Sequence, residues 1–152
     1  MSTLVNRFDT SIVDERASKV GSARIDIAYQ RLGNPDAPAV LLIMGIAAQS
    51  IHWPDVFCHA LVNRGLQVIR FDNRDAGLST HLTDAPPPDL PAVLAGDLSS
   101  VSYTLSDMAA DAVGLLDVLA FAKAHVVGAS MGARLHKRWP WSIQTVSALS
   151  RR

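Results

Sequence analysis

Val126-Val127-Gly128-Ala129-Ser130-Met131-Gly132 is a short apolar run that ends in a Gly-x-Ser-x-Gly motif. The run predicts a strand, and the motif predicts that the chain turns sharply at Ser130 and enters a helix. A turn of that kind strains the serine backbone and crowds the residues two places to either side. Gly128 and Gly132 meet the demand because neither carries a Cβ. The turn lifts the serine Oγ clear of the sheet and sets it at a helix N-terminus, where unpaired N–H groups favour developing negative charge. A dinucleotide phosphate loop also joins a strand to a helix, but it needs a second glycine where Ser130 stands.

Working back from the motif, the chain alternates strands and helices. Arg24 to Arg31 alternates polar and apolar residues, the period of a half-buried strand. Gly33-Asn34-Pro35-Asp36 is a turn. Ala39 to Met44 is a continuous apolar run ending at Gly45, as expected of a strand buried on both faces. Trp53 to Asn63 predicts a helix with Pro54 in its first turn, Phe57, Cys58 and Leu61 on one face, and Gly65 beyond its end. Gln67 to Phe71 is a second buried strand, followed by the polar loop Asp72-Asn73-Arg74-Asp75-Ala76-Gly77-Leu78-Ser79. Residues 81–102, with Pro86-Pro87-Pro88 and Pro91, read as an irregular connection. Thr104 or Ser106 can cap a helix through Phe121 whose apolar positions Met108, Ala112, Leu115, Leu116 and Leu119 fall at helical spacing. This alternation predicts an α/β architecture with a mostly parallel sheet, flanking helices and right-handed crossovers.

Composition narrows the function classes. The 152 residues suffice for one domain, 49% are hydrophobic, and 14 basic residues balance 14 acidic ones. That balance gives no electrostatic reason to expect nucleic acid or an anionic membrane as partner. No apolar run reaches the length of a membrane span, and the N-terminal stretch lacks a signal-peptide core. The lone Cys58 excludes an internal disulfide and a cysteine-based zinc cluster. A cytoplasmic location with no metal and no cofactor is the expectation, and the oligomeric state is left open.

Three separated motifs together resemble the N-terminal half of the α/β-hydrolase fold. Leu42-Ile43-Met44-Gly45-Ile46 ends a strand where that family places its oxyanion-hole loop. Most members have His-Gly there, and Met44-Gly45 is similar to the branch containing anthracycline methyl esterases. Ile51-His52-Trp53-Pro54 leads to Arg70-Phe71-Asp72-Asn73-Arg74-Asp75-Ala76-Gly77-Leu78-Ser79, which resembles the family's Asp-x-Arg-x-x-Gly-x-Ser loop. The third motif is the nucleophile elbow. The resemblance covers residues 18–133, between a polar leader, 1–17, and an aberrant tail, 134–152.

The resemblance implies a serine carboxylic-ester hydrolase acting on a small neutral or apolar ester. Ser130 would be the nucleophile, and the backbone N–H groups of Ile46 and Met131 would stabilise the oxyanion. Gly45, Asp72, Arg74 and Gly77 would support the active-site loops. Enol-lactonases and cofactor-free haloperoxidases share these N-terminal motifs. In this family the acid and the histidine follow the serine in chain order, so both are expected beyond residue 152. On that expectation the 152-residue chain is an inactive, truncated fold. The competing reading is a non-catalytic fragment or pseudogene product.

The tail supports that concern. Ala133-Arg134-Leu135-His136-Lys137-Arg138-Trp139-Pro140-Trp141-Ser142 has no usable apolar face and a proline where a helix should run. Compatible codons for residues 135–144, read one base out of register, give Ile-Ala-Gln-Thr-Leu-Ala-Met-Glu-His-Pro. That is an apolar helix with a stop, so a frameshift near Gly132 is the expectation. The strand carrying Val126 would then be left at an open sheet edge. Elsewhere the blander readings are preferred. His52, His59, His81, His125 and His136 are structural or exposed, and Asp72 is structural. Asp107 and Asp111 form a solvated helix face, Cys58 is a small core residue, and Trp53 packs beside the oxyanion loop.

Overall fold

In a computed structural model, residues 12–135 and the backbone of 145–147 are described. Six strands form one mixed sheet in the order β1-β2-β4-β3-β5-β6. Strands β1 (Val13–Val20) and β2 (Ile25–Leu32) form an antiparallel ribbon, and β2 also runs antiparallel to β4 (Gln67–Phe71). From β4 onward the sheet is parallel, through β3 (Ala39–Ile43), β5 (His125–Gly128) and β6 (Thr145–Ser147). The α/β architecture with flanking helices is therefore as the sequence implies.

The central strand β3 is apolar along its whole length because both of its faces are covered, whereas β4 buries Gln67 and Arg70 among Val68, Ile69 and Phe71. In β3, Ala39, Leu41 and Ile43 pack toward one cluster, and Val40 and Leu42 toward another. Helix α3 (Leu105–Val118) closes the first cluster with Met108, Ala112, Leu115 and Leu116. Helix α1 (Asp55–Val62) closes the second with Cys58 and Val62. Ribbon strand β2 buries Ile25, Ile27 and Tyr29 in alternation, so its period-two pattern reports one dry face. Among the described residues no helix is long and apolar enough to cross a membrane.

Several elements differ from the sequence reading. Strand β1 takes up Val13 to Ala17 of the stretch read as a leader, held by pairing such as Glu15 opposite Tyr29. Its polar residues hid it, because only Ala17 and Val20 are buried. Helix α1 begins at Asp55 with Pro54 as its N-cap, and it turns Val62 inward while Phe57 remains partly exposed. A short helix, α2 (Leu90–Leu94), interrupts the connection read as irregular, capped by the Asp89 side chain on the Ala92 N–H. Thr104 caps α3, and Ser106 lies inside it.

The open edge expected at β5 is also corrected. Val126, Val127 and Gly128 pair with Thr145, Val146 and Ser147, so part of the tail closes that edge. Helix α4 (Gly132–Leu135) opens directly after the elbow. The tryptophan-rich segment 136–144, His136 included, lies outside the described residues.

Candidate active site

The site gathers at the C-terminal ends of the parallel strands, where β3, β4 and β5 each release a loop. Ser130, just past β5, has φ 52°, a left-handed conformation that serine avoids outside strained turns. The crowding predicted for its neighbours is present. A Cβ on Gly128 would overlap the backbone of Gly132 and Ala133, and one on Gly132 would run into the Ile43 and Met44 carbonyls. Both glycines are therefore required by close approach rather than by φ.

The β3 loop lies against the serine. A Cβ added at Gly45 would stand 3.2 Å from the Ser130 Cβ and 3.7 Å from its Oγ. Gly45 thus leaves room above the Ser130 side chain that a side chain of its own would fill. Three successive carbonyls of this loop are occupied by donors. Ile43 O accepts from the Ala129 N–H at 2.9 Å, Met44 O from Asn73 Nδ2 at 3.1 Å, and Gly45 O from the Ala48 N–H at 3.3 Å. The N–H groups of Ile46 and Met131 have no partner among the described residues. Ile46 itself is 78% exposed. Trp53 packs in the same cluster as Met44, stacked on Phe57 with ring centroids 5.4 Å apart.

The β4 loop is tied through its buried side chains Asp72, Asn73, Arg74 and Ser79, while Asp75 and Leu78 are exposed. The Asp72 carboxylate accepts from the Ser50 N–H at 2.7 Å and from the Leu78 N–H at 2.9 Å. Gly77, at φ 53°, gives that carboxylate its space, because a Cβ there would overlap it. Ser79 Oγ donates to Asp72 O and accepts from the Ala28 N–H, fastening the loop to β2. Arg74 makes a two-point ion pair with Asp111 on α3, at 2.6 and 2.7 Å, and lies over the Tyr103 ring. Burial pushes the Asp111 carboxyl up while the guanidinium pulls it down. The Tyr103 hydroxyl is pushed up to about 12, first by burial and then by its hydrogen bond to Asp75.

Asp111 is the main correction to the sequence reading. It is buried and paired with Arg74, whereas Asp107 caps the start of α3 through Thr104. Helical spacing could not show this, since the partner comes from a loop far away in the chain. Arg70 and Asn73 were also missed as structural anchors. Arg70 reaches Gln30, the Trp53 carbonyl and Asp55 from within buried strand β4. The available signal was a charged or amide side chain within or just after a mostly apolar strand, since a polar group buried there must be paired.

Of the histidines, His52 interacts with the Gln49 backbone and His81 with the Gly77 carbonyl. His125 opens β5, at the end of the sheet opposite Ser130. Cys58 is fully buried, with its thiol pushed up by burial. Among the described residues, no hydrogen bond joins a histidine to Ser130, and no group of three His, Cys, Asp or Glu residues is placed to hold a metal.

Comparison with known proteins places the fold. The family described as alpha/beta hydrolase fold matches residues 38–136. Rhodomycin D methylesterase of Streptomyces peucetius is 38% identical over 101 residues, covering 66% of this chain and 29% of that protein. A Variovorax paradoxus protein named for carbamate hydrolysis is 32% identical over 104 residues, covering 68% of this chain and 33% of that protein. The chain therefore spans about a third of the length of these curated relatives. Among solved structures, the 2-hydroxy-6-oxo-6-phenylhexa-2,4-dienoate hydrolase of a Rhodococcus strain superposes with a TM-score of 0.64 at 21% identity. That match covers 84% of this chain and 41% of the other.

Proposed function

Because the chain belongs to the alpha/beta hydrolase fold family, we propose that Ser130 is the nucleophile of a carboxylic-ester hydrolase. One observation carries the reading: a left-handed Ser130 facing a side-chain-free Gly45, with the Ile46 and Met131 N–H groups unpaired among the described residues. In this mechanism Oγ attacks the acyl carbon and its proton passes to a base. The carbonyl electrons move onto oxygen, and the two N–H groups hold the oxyanion. Collapse of that intermediate breaks the ester C–O bond and releases the alcohol, leaving an acyl-enzyme that water then hydrolyses.

The methylesterase relative supports an ester as substrate. The exposed apolar side chain of Ile46, on the loop facing Ser130, supports a small neutral or apolar one. The general base comes from outside the described residues, since none of their histidines is bonded to Ser130. Positioned base catalysis is commonly worth about 10²- to 10⁴-fold, so the described residues without such a base would turn over esters poorly. The segment 134–152 we read as out of frame, and sequencing the gene tests that directly: an in-frame gene whose codons give no apolar helix in the shifted register would refute it.

The enzymatic test is a burst assay with p-nitrophenyl acetate, run with imidazole supplied as a base and beside Ser130→Ala. A release of p-nitrophenol that depends on Ser130 is expected when imidazole is present. Identical traces from the folded chain and the Ser130→Ala variant would overturn the assignment.

A further inference from the structure

We propose that Asn73 is a positioning residue for the reaction, acting through the Met44 carbonyl to hold the loop that carries the Ile46 N–H against Ser130. The proposal rests on the esterase reading and goes beyond it. Asn73 is 4% exposed, and its Nδ2 donates to Met44 O at 3.1 Å. Its own carbonyl accepts from the Ala76 N–H, and the preceding Asp72 N–H donates to Ala28 O, so the backbone bearing this amide is itself anchored. The next residue back, Asp72, receives the Ser50 N–H at the far end of the same β3 loop. Two consecutive residues after β4 thus grip the 44–50 segment at both ends.

The middle of that segment needs the grip. Ala47 has φ 55°, an uncommon conformation for a residue with a Cβ. Ile46 has an exposed side chain that contributes little packing to fix its backbone. A peptide unit turns as a rigid plate, so fixing the Met44 carbonyl fixes the direction of the Gly45 N–H and constrains the next peptide. The Met44 carbonyl also lies close to Gly132 at the elbow, 2.9 Å from where a Cβ there would stand. An unheld carbonyl in this place could turn its negative end toward the developing oxyanion. The Asn73 amide removes that freedom before the reaction begins, which is the condition for electrostatic stabilisation without reorganisation.

The test uses the whole chain with Asn73→Ala and with Asn73→Asp, a near-isostere that sets an acceptor against the Met44 carbonyl. Amide hydrogen exchange needs no turnover and reads the loop directly. Faster exchange is expected across residues 44–49, with exchange in β3, β4 and β5 unchanged. In the imidazole-supplied burst assay, Ser130 acylation should slow by roughly 10- to 100-fold at an unchanged half-saturating ester concentration. Unchanged exchange in the loop for both variants would overturn the proposal, as would faster exchange with an undiminished acylation rate. A rise in half-saturating ester concentration at constant rate would also overturn it, by marking Asn73 as a substrate-binding residue. If Ser130→Ala acylates like the unaltered chain, the esterase reading fails and takes the reaction role of Asn73 with it. The exchange result then reports only a structural clamp, so the two failures are told apart.

Discussion

The two loops that meet beside Ser130 are built in opposite ways. The segment after β4, residues 72–80, buries Asp72, Asn73, Arg74 and Ser79 and pairs each of them. The segment after β3, residues 44–49, exposes Ile46 and leaves its N–H without a partner among the described residues. On the proposed esterase mechanism the Ile46 N–H has to stay unsatisfied in the resting protein, and an unsatisfied backbone group gives its own loop no rigidity. The rigidity is therefore supplied from next door. What the contrast teaches is that buried polar pairing in one loop can hold a neighbouring loop that has little packing of its own.

The sharpest way to break the contrast is to unlock the buried loop. Asp111→Ala leaves the Arg74 guanidinium buried without its carboxylate, and a loss of about 3–5 kcal/mol is expected in denaturant unfolding. A loss under about 1 kcal/mol would mean that water or a side-chain shift rescues Arg74, and that the loop is less locked than its geometry implies. Gly77→Ala comes next. It places a Cβ on the Asp72 carboxylate at a positive φ, and about 1–3 kcal/mol should be lost. Because Asp72 would also release Ser50, hydrogen exchange near Ser50 should rise with it; stability lost without that rise would uncouple the two loops.

A smaller effect is expected where an ion pair of the same two-point kind is only half buried. Arg31 meets Glu15 at 2.5 and 2.6 Å on the β1–β2 ribbon, and Tyr29 donates to the same carboxylate. The Arg31 hydrogen bonds hold the Glu15 carboxyl below its ordinary value. A carboxyl lowered by folding adds stability that is fully present above its unfolded pKa and is lost as pH falls through the folded one. Removing it by Glu15→Gln should cost no more than about 1 kcal/mol at neutral pH. The difference from the unaltered chain should vanish in acid, below the ordinary carboxylate range; a difference that persists there would have to come from packing. Least of all should come from Ile46→Ala in the open loop. Its side chain is exposed, so stability should move by less than about 0.5 kcal/mol, and acylation of Ser130 should stay within a few-fold. A large drop in acylation would show that the side chain, and not the amide, serves the ester.

Legibility in the sequence followed how local the cause was. The elbow could be read because its requirement, two small residues around a strained serine, falls within five consecutive positions. Buried strand β3 could be read because a parallel strand covered on both faces needs an unbroken apolar run, and β4 because Val68, Ile69 and Phe71 keep most of that pattern around Arg70. Strand β1 could not, since an edge strand with one wet face keeps its charges and is held by its partner β2. Strand β6 escaped for a related reason, as Thr145, Val146 and Ser147 carry too little pattern and gain their place by pairing with β5.

Within the site, the sequence by itself determined the chemistry on offer: a serine at a strand-to-helix turn, a glycine at the end of β3, and a polar loop at the end of β4. The ribbon, the closed edge of β5 and every pairing that holds the loops were decided only by the tertiary structure. Asp111 reads as a surface residue on its helix until Arg74 arrives from β4, and Asn73 has no evident purpose until the Met44 carbonyl is beside it. Backbone strain and hydrophobic period are written into neighbouring residues. The partner of a buried charge or amide is chosen by which strands the fold brings together, and no stretch of sequence contains both halves of that choice.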